Sequence, residues 1–276
     1  MLRMKVPIIC YHSSHAGDDY ATDDHIAVAE DLDTIHRLGF RIVPLDWVVE
    51  AVLGGREPLD RCVALTCDDG VNLDWQDADH PSFGPRRSFA NILGDFAGKV
   101  GATQPHVEMT SFVIASPAAR RELEINCLAG HRWLTDDWWR DADASQVLNI
   151  ESHSWDHVHP DVGNVAQKDQ RKGDFTLVDT LDECEAQVAR ASEFIAARTG
   201  RRPRYFAYPY GQSSTYLRET YLPAHGARYG IRAAFSIDHA YVTGESNRWY
   251  LPRFTHGTAD FATTRDFERI LMQSQQ

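Results

Sequence analysis

The fold that the sequence predicts is a single α/β barrel, and three observations predict it. Short apolar runs of strand type alternate with helical periodicity along the chain, the pattern of a parallel sheet covered on both faces. Seven or eight such units can be counted, which favours a barrel over an open sheet. No linker, low-complexity stretch or internal repeat divides the 276 residues, so they read as one domain, 1–276.

Taken in order, residues 7–10 are a buried-strand candidate ending at Tyr11 and His12. Ile26, Ala29, Leu32, Ile35 and Leu38 then follow helical spacing, with Gly39 placed as the C-terminal cap. Residues 41–45 read as a second strand and 45–53 as a short helix ended by Gly54 and Gly55. Residues 62–66 are a third strand leading straight into Asp68-Asp69-Gly70. The stretch 71–106 is a long insert rich in Asp, Pro and Gly, with a helix over 88–100. Residues 110–114 form a fourth strand, and a helix starts near Ser116-Pro117. Residues 133–139, with three tryptophans, read as an aromatic-rich connection before a fifth strand at 148–152. Thr180 and Glu183 form a capping-box pattern for a helix with Leu181, Cys184, Val188, Ala191 and Ile195 on one face. Gly200 and Pro203 stop it. Residues 205–208 and 233–236 are the sixth and seventh strands, and 250–254 is a further short one. Thr264 caps a last helix through Phe267, Ile270 and Leu271.

Hydrophobic content of 43 % and aromatic content of 11 % supply a substantial core. The net charge of −12 argues against nucleic acid or an anionic membrane as partner and suits a neutral or cationic substrate. Five cysteines without close spacing give neither a disulfide framework nor a zinc ribbon. No stretch approaches the ~20 apolar residues of a membrane span. Residues 1–7 lack the apolar run of a signal peptide, so the expectation is a cytoplasmic enzyme. Composition leaves the oligomeric state open.

The chemistry lies in two segments that each follow a strand. Asp68-Asp69-Gly70 has the composition of an ordinary turn, but catalytic groups of parallel barrels sit at the C-terminal ends of strands. His153 and His157 are four apart, so on one helical turn they face the same way. Asp69, His153 and His157 together make a three-ligand site for a divalent metal with open positions for water and substrate. Asp68 remains as a general base. The donor set suits Zn²⁺, and also Co²⁺, Ni²⁺ or Fe²⁺. His159 competes as a ligand, its plainer reading being a surface histidine before Pro160.

Over residues 6–257 the chain resembles the polysaccharide deacetylase (NodB-homology) family. Pro7-Ile8-Ile9-Cys10-Tyr11-His12 resembles the first strand of its bacterial surface-polysaccharide branch. Thr66 to Gly70 resembles Thr-Phe-Asp-Asp-Gly, and His153-Ser154-Trp155-Asp156-His157 resembles His-Ser/Thr-x-x-His. Tyr208-Pro209-Tyr210-Gly211 resembles the third motif, and Leu251 to His256 falls where the family has its closing motif. The resemblance implies a distorted (β/α)₇ barrel that removes N-acetyl groups with zinc or a similar ion. It implies Asp68 as base, Asp69, His153 and His157 as metal ligands, and His256 as general acid. The Tyr210 backbone N–H would donate to the oxyanion.

Two departures from the pattern matter. Cys67 replaces the usual Phe, a packing change, and Ala207 stands where many members have an Arg paired with the base. Arg253, on a neighbouring strand end, is expected to reach Asp68 instead, against the plainer reading of a surface Arg. The 71–106 insert, with Asp74, Trp75, Asp77, Asp79 and His80, reads as a solvated loop or as a lid over the pocket. The expected activity is hydrolysis of an amide, on an N-acetylated sugar first. The alternatives are a small non-sugar amide, imide or ureide, and a non-catalytic carbohydrate-binding protein on the same scaffold.

Overall fold

A computed structural model describes residues 4–163, 165–166 and 172–276. The expectation drawn from residues 1–7 falls partly on residues 1–3, outside the described residues. Eight parallel strands build the main sheet: β1 (Ile8–Tyr11), β2 (Arg41–Ile42), β3 (Cys62–Cys67), β4 (Met109–Val113), β5 (Leu148–Ser152), β6 (Tyr205–Ala207), β7 (Ala233–Phe235) and β8 (Phe254–Thr255). Their order is β7-β6-β5-β4-β3-β1-β8, with β2 paired to the start of β3. An isolated parallel bridge between Phe235 and Leu251 joins the two ends of that order. The sheet is therefore curled into the distorted seven-strand barrel that the resemblance implied.

The strands read as continuous apolar runs because both faces are covered. Alternation still sorts them. Ile8, Ala64, Phe112, Tyr205, Ala207, Ala233 and Phe235 share one buried cluster, with the rings of Phe112 and Tyr205 each against Phe235. Ile9, Tyr11, Val63, Leu65, Met109, Val113, Leu148 and Ile150 face the other way, into a cluster shared with the surrounding helices. Cys67 belongs to that outward cluster.

Helix α1 (Asp24–Arg37) starts at Asp23, whose carboxylate accepts from the backbone N–H groups of His25 and Ile26. Gly39, at φ 70°, follows its last turn. Helices α2 (Leu45–Val52), α3 (Phe89–Val100) and α4 (Pro117–Asn126) match the sequence expectation, with Ser88 and Ser116 capping the latter two. Thr180 and Glu183 form the expected capping box. The helix behind it, from Leu181 to Thr199, contains a π turn over Glu185–Ala189.

Several expectations are corrected. Leu181 lies off the buried face and is exposed, whereas Cys184, Val188, Ala191 and Ile195 are buried. The last helix, Thr264–Gln273, is capped by Thr263 rather than Thr264. The strand expected at 250–254 starts only at Phe254, because Leu251 is spent on the closing bridge. Within 133–139 the connection ends in helix α5 (Trp139–Ser145), which buries Trp139 and Ala142. A helical segment from Leu217 through His225 was not expected either. No helix among the described residues is long and apolar enough to cross a membrane.

Candidate active site

The C-terminal ends of the strands surround a cavity of about 560 Å³. Asp68, Asp69, His153, His157 and Tyr210 line it, and His12 and His15 join them. Val71, Ile114, Leu123, Leu128 and Leu134 supply an aliphatic wall.

Asp68 and Asp69 leave β3 in a sharp turn. Asp69 has φ 76° and Gly70 φ 73°. A Cβ on Gly70 would come within 2.6 Å of the Val113 side chain, so this position needs glycine for space as well as conformation. Asp69 thereby projects into the cavity. Its Oδ1 lies 3.8 Å from His153 Nε2 and 3.7 Å from His157 Nε2.

The two histidines do not sit on a helical turn, as their spacing suggested. They flank a loop in which Ser154, His157 and Val158 have φ of 72°, 62° and 48°. Left-handed conformations are costly for side-chain-bearing residues, most of all for a β-branched one, and persist only where the surroundings impose them. Here Ser154 Oγ accepts from His157 N at 3.0 Å, and the Ser154 and Trp155 carbonyls accept from Ala115 and Ser116. Gln187, on the π turn, is the further support. Its Oε1 accepts from the backbone N–H groups of Trp155 and Asp156 at 3.2 and 3.4 Å. Its Nε2 donates to Asp156 Oδ1 at 2.8 Å.

His153 Nδ1 lies 2.9 Å from the Ala207 carbonyl, which can only accept. The proton is therefore on Nδ1, and the Nε2 lone pair faces Asp69. Burial first, and then the neighbouring His153, push the His157 pKa down to about 3. Its imidazole is neutral at working pH, the state a metal ligand needs. Burial would raise Asp69, but His157, His12 and His153 together hold it below the usual carboxylate range. The potential ligand atoms of Asp69, His153 and His157 all lie within 4.8 Å of one another. Tetrahedral zinc with ordinary bond lengths wants nitrogen and oxygen ligands about 3.3 Å apart, so each Asp69–histidine pair comes within a few tenths of an ångström of that spacing.

Asp68 is buried and paired with Arg253. Nη1 donates to Oδ1 and Nη2 to Oδ2, each at 2.7 Å. Arg253 is itself fully buried, with Nε on the Ser236 carbonyl and Nη1 also on Thr66 Oγ1. Burial pushes the Asp68 carboxyl up. The Arg253 charge, His153 and the Arg253 hydrogen bonds together overturn this and hold it well below the carboxylate range. Asp68 Oδ2 also lies 3.9 Å from His153 Nε2, so the paired carboxylate faces the prospective ligands. Ala207 fills the family's usual Arg position with a methyl in the barrel interior.

His256, the expected general acid, is paired with a carboxylate through one ring nitrogen. It is buried and does not line the cavity. Its Nδ1 lies 2.9 Å from Asp24 Oδ1, and Tyr20 and Phe261 pack edge-on against its ring. Its Nε2 is buried without a hydrogen-bond partner. His12, which follows β1, lines the cavity, stacked on His15. Its Nδ1 is buried without a hydrogen-bond partner. Potential ligand atoms of His12, Cys10 and Asp68 lie within 4.8 Å of one another. Asp24 connects the two histidine layers, since its Oδ2 accepts from the His12 backbone N–H at 2.6 Å and its Oδ1 meets His256 and His15. Burial raises Asp24, but the hydrogen bonds from His15 and His256 outweigh it and leave the carboxyl below its usual range. His12, His15 and Asp24 were missed in the sequence. The one available signal is that His12 follows a strand as the aspartates do.

Tyr210 has φ 58°, and its ring lies edge-on to His157 with centroids 4.5 Å apart. His159 stands apart from the Asp69 cluster, with Asp161 and Cys127. Of the 71–106 insert, only Val71 lines the cavity. The remainder is anchored rather than drawn over the mouth. Asp74 is buried between Ser13 Oγ at 2.5 Å and Ser111 Oγ at 2.7 Å, and Arg86 pairs with Asp23 at 3.0 Å.

A family model described as polysaccharide deacetylase matches residues 103–230, less than half of the chain. That span holds the histidine segment and the Tyr-Pro-Tyr-Gly segment, while the aspartate pair precedes it. Among solved structures, the chain is similar to the Streptococcus pyogenes deacetylase PplD in complex with acetate, at 14 % identity and a TM-score of 0.66, covering 99 % of each chain. It is similar to IcaB from Ammonifex degensii at 18 % identity and 0.65, covering 99 % of this chain and 98 % of the other. A de-N-acetylase from Aggregatibacter actinomycetemcomitans aligns at 15 % identity and 0.59, covering 95 % and 99 %. No curated protein matches the chain. The resemblance to polysaccharide deacetylases holds in a sequence segment and in the barrel fold.

Proposed function

We propose that this chain is a metal-dependent hydrolase of carbon–nitrogen bonds that deacetylates an N-acetylated sugar or oligosaccharide. The observation that carries this reading is the juxtaposition, in one cavity, of a two-histidine and aspartate donor set with a second, ionised aspartate held by a buried arginine. Asp69, His153 and His157 would hold the ion, zinc by preference for this donor set. When bound, the ion supplies an acidified water and polarises the acetyl carbonyl.

The remaining steps belong to the chain's own groups. Arg253 occupies one lone pair on each Asp68 oxygen and keeps the carboxylate ionised, leaving Oδ2 to accept the proton of the attacking water. The Tyr210 backbone N–H donates to the developing oxyanion. The departing amine takes its proton from His12, the imidazole that lines the cavity beside Asp68. His256 acts behind it through Asp24, as a positioning residue.

The aliphatic wall formed by Val71, Ile114, Leu123, Leu128 and Leu134 favours a second reading, a small amide with an apolar group as substrate. Zinc-loaded protein assayed on acetylated chitooligosaccharides and on small amides, imides and ureides separates the two. Release of acetate from the saccharides supports the first reading. Turnover of small amides alone supports the second, and saccharide binding without any turnover overturns both.

A further inference from the structure

A second group of metal-binding side chains stands at the rim of the same cavity. Cys127 follows the last turn of α4, and His159 and Asp161 lie on the loop beyond His157. Cys127 Sγ donates to Asp161 Oδ2 at 3.4 Å, and His159 Nδ1 lies 3.8 Å from the same oxygen. Potential ligand atoms of all three fall within 4.8 Å of one another. Tetrahedral zinc with ordinary bonds places a sulfur and an oxygen ligand about 3.5 Å apart, and a nitrogen and an oxygen about 3.3 Å apart. The Asp161 N–H donates to His159 Nδ1 at 3.1 Å, a bond that a metal at that nitrogen would replace. The two segments are tied together on either side of the group. Asn126 Nδ2 donates to the Asp161 carbonyl at 2.7 Å, and Gly163 N donates to Glu122 Oε2. Cys127 is also the one exposed cysteine of the five, the others being buried.

We propose that Cys127, His159 and Asp161 form a second zinc site, distinct from the Asp69, His153 and His157 cluster, and that zinc there blocks the cavity. The mixed thiolate, imidazole and carboxylate set is the chemistry of a borderline-soft divalent ion and leaves a fourth position for water. Binding breaks the Cys127 S–H bond, forms a sulfur–metal bond and releases one proton to water, with no change of oxidation state. Cys127 and His159 both line the cavity, and the rings of His157 and His159 lie 5.6 Å apart between centroids. An ion at the rim therefore stands in the path of a substrate approaching Asp68 and Asp69. Low zinc fills the inner cluster, and excess zinc inhibits.

The test counts metal independently of activity, so it does not depend on the substrate proposed above. Metal-free protein is titrated with zinc by equilibrium dialysis, and with Cd²⁺ while the thiolate-to-metal absorption band is followed. Wild-type protein is expected to bind two zinc ions and to show the band. Cys127→Ser is expected to bind one ion and to lose the band, and Asp161→Asn to bind the second ion at least tenfold more weakly. Where turnover is measurable, the zinc concentration that halves it should rise at least tenfold in Cys127→Ser. A single zinc in wild-type protein overturns the proposal, as does a second zinc held equally well by both variants.

Discussion

Arg253 holds both carboxylate oxygens of Asp68, Nη1 on Oδ1 and Nη2 on Oδ2, at 2.7 Å each. The two residues are far apart in sequence, and both are buried. A buried carboxylate survives ionised only with such a partner, since breaking a buried pair typically costs about 3–5 kcal/mol.

Arg253→Met removes the charge that opposes burial at Asp68. The carboxyl pKa is depressed in the folded protein, so ionisation, and the stability tied to it, is present at neutral pH and lost as pH falls. Without the guanidinium that loss moves to higher pH. The acidic limb of the kcat/KM profile is expected to shift upward, and urea unfolding at neutral pH to show about 3–5 kcal/mol less stability. An unmoved limb would take the role of base away from Asp68. Asp68→Asn should keep its metal and lose about 10²–10⁴-fold in turnover.

The metal cluster makes a separate prediction. Asp69→Ala, His153→Ala and His157→Ala should each lose the inner ion and activity together, read by metal analysis after dialysis. Full occupancy of the inner site in His157→Ala, with its loss in His159→Ala, would transfer the ligand role to His159. Gln187→Ala touches no prospective ligand but removes the bonds that shape the 154–157 loop. It is expected to weaken metal affinity about 10–100-fold, the range seen when groups that orient ligands are lost.

Proton delivery to the amine separates His12 from His256. His12→Asn should retain metal and lose about 10²–10⁴-fold in kcat. His256→Asn should show the smaller loss, because its ring meets Asp24 and not the cavity. The reverse order would return the role of acid to His256.

Asp74 gives a prediction on stability alone. Burial pushes its carboxyl up to about 7, against the lowering hydrogen bonds from Ser13 and Ser111. An acid that holds its proton more tightly when folded stabilises the fold fully below its unfolded pKa of about 3.9 and loses that contribution as pH rises toward 7. The difference is on the order of 4 kcal/mol. Asp74→Asn keeps a neutral group of the same shape. Urea unfolding across that pH range should therefore be flatter in the variant than in the wild type, and equal slopes would show that Asp74 is ionised throughout.

Much of this was legible in the sequence, for identifiable reasons. The barrel strands are short apolar runs bounded by turn residues, and burial on both faces makes such runs unambiguous. Asp68, Asp69 and His153 each sit within two residues of a strand end, and His157 follows on the loop just beyond, so locating the strands located them. Arg253 could be inferred because Ala207 left a charge unaccounted for. The spacing of His153 and His157 misled, because a four-residue interval matches a helical turn, whereas hydrogen bonds to Ser154, Ala115, Ser116 and Gln187 impose a loop. Helix α5 was hidden because only Trp139 and Ala142 of its seven residues are buried, too few to show a period. His12 entered only as the end of the first-strand resemblance, with no role, and Asp24 looked like an ordinary residue at the start of a helix.

The junction between β5 and β6 rests on a single register pair, Ser152 with Phe206. The next bond along that seam is not backbone at all but His153 Nδ1 on the Ala207 carbonyl, at 2.9 Å. One imidazole thus rivets two strands with one nitrogen while offering the other to the cavity. Fixing that ring from the cavity side fixes the rivet as well, so occupancy of the site and rigidity of the barrel wall are mechanically the same event. Backbone amides of Tyr205–Ala207, although remote from any reacting atom, should exchange their hydrogens more slowly when the cavity holds its ion.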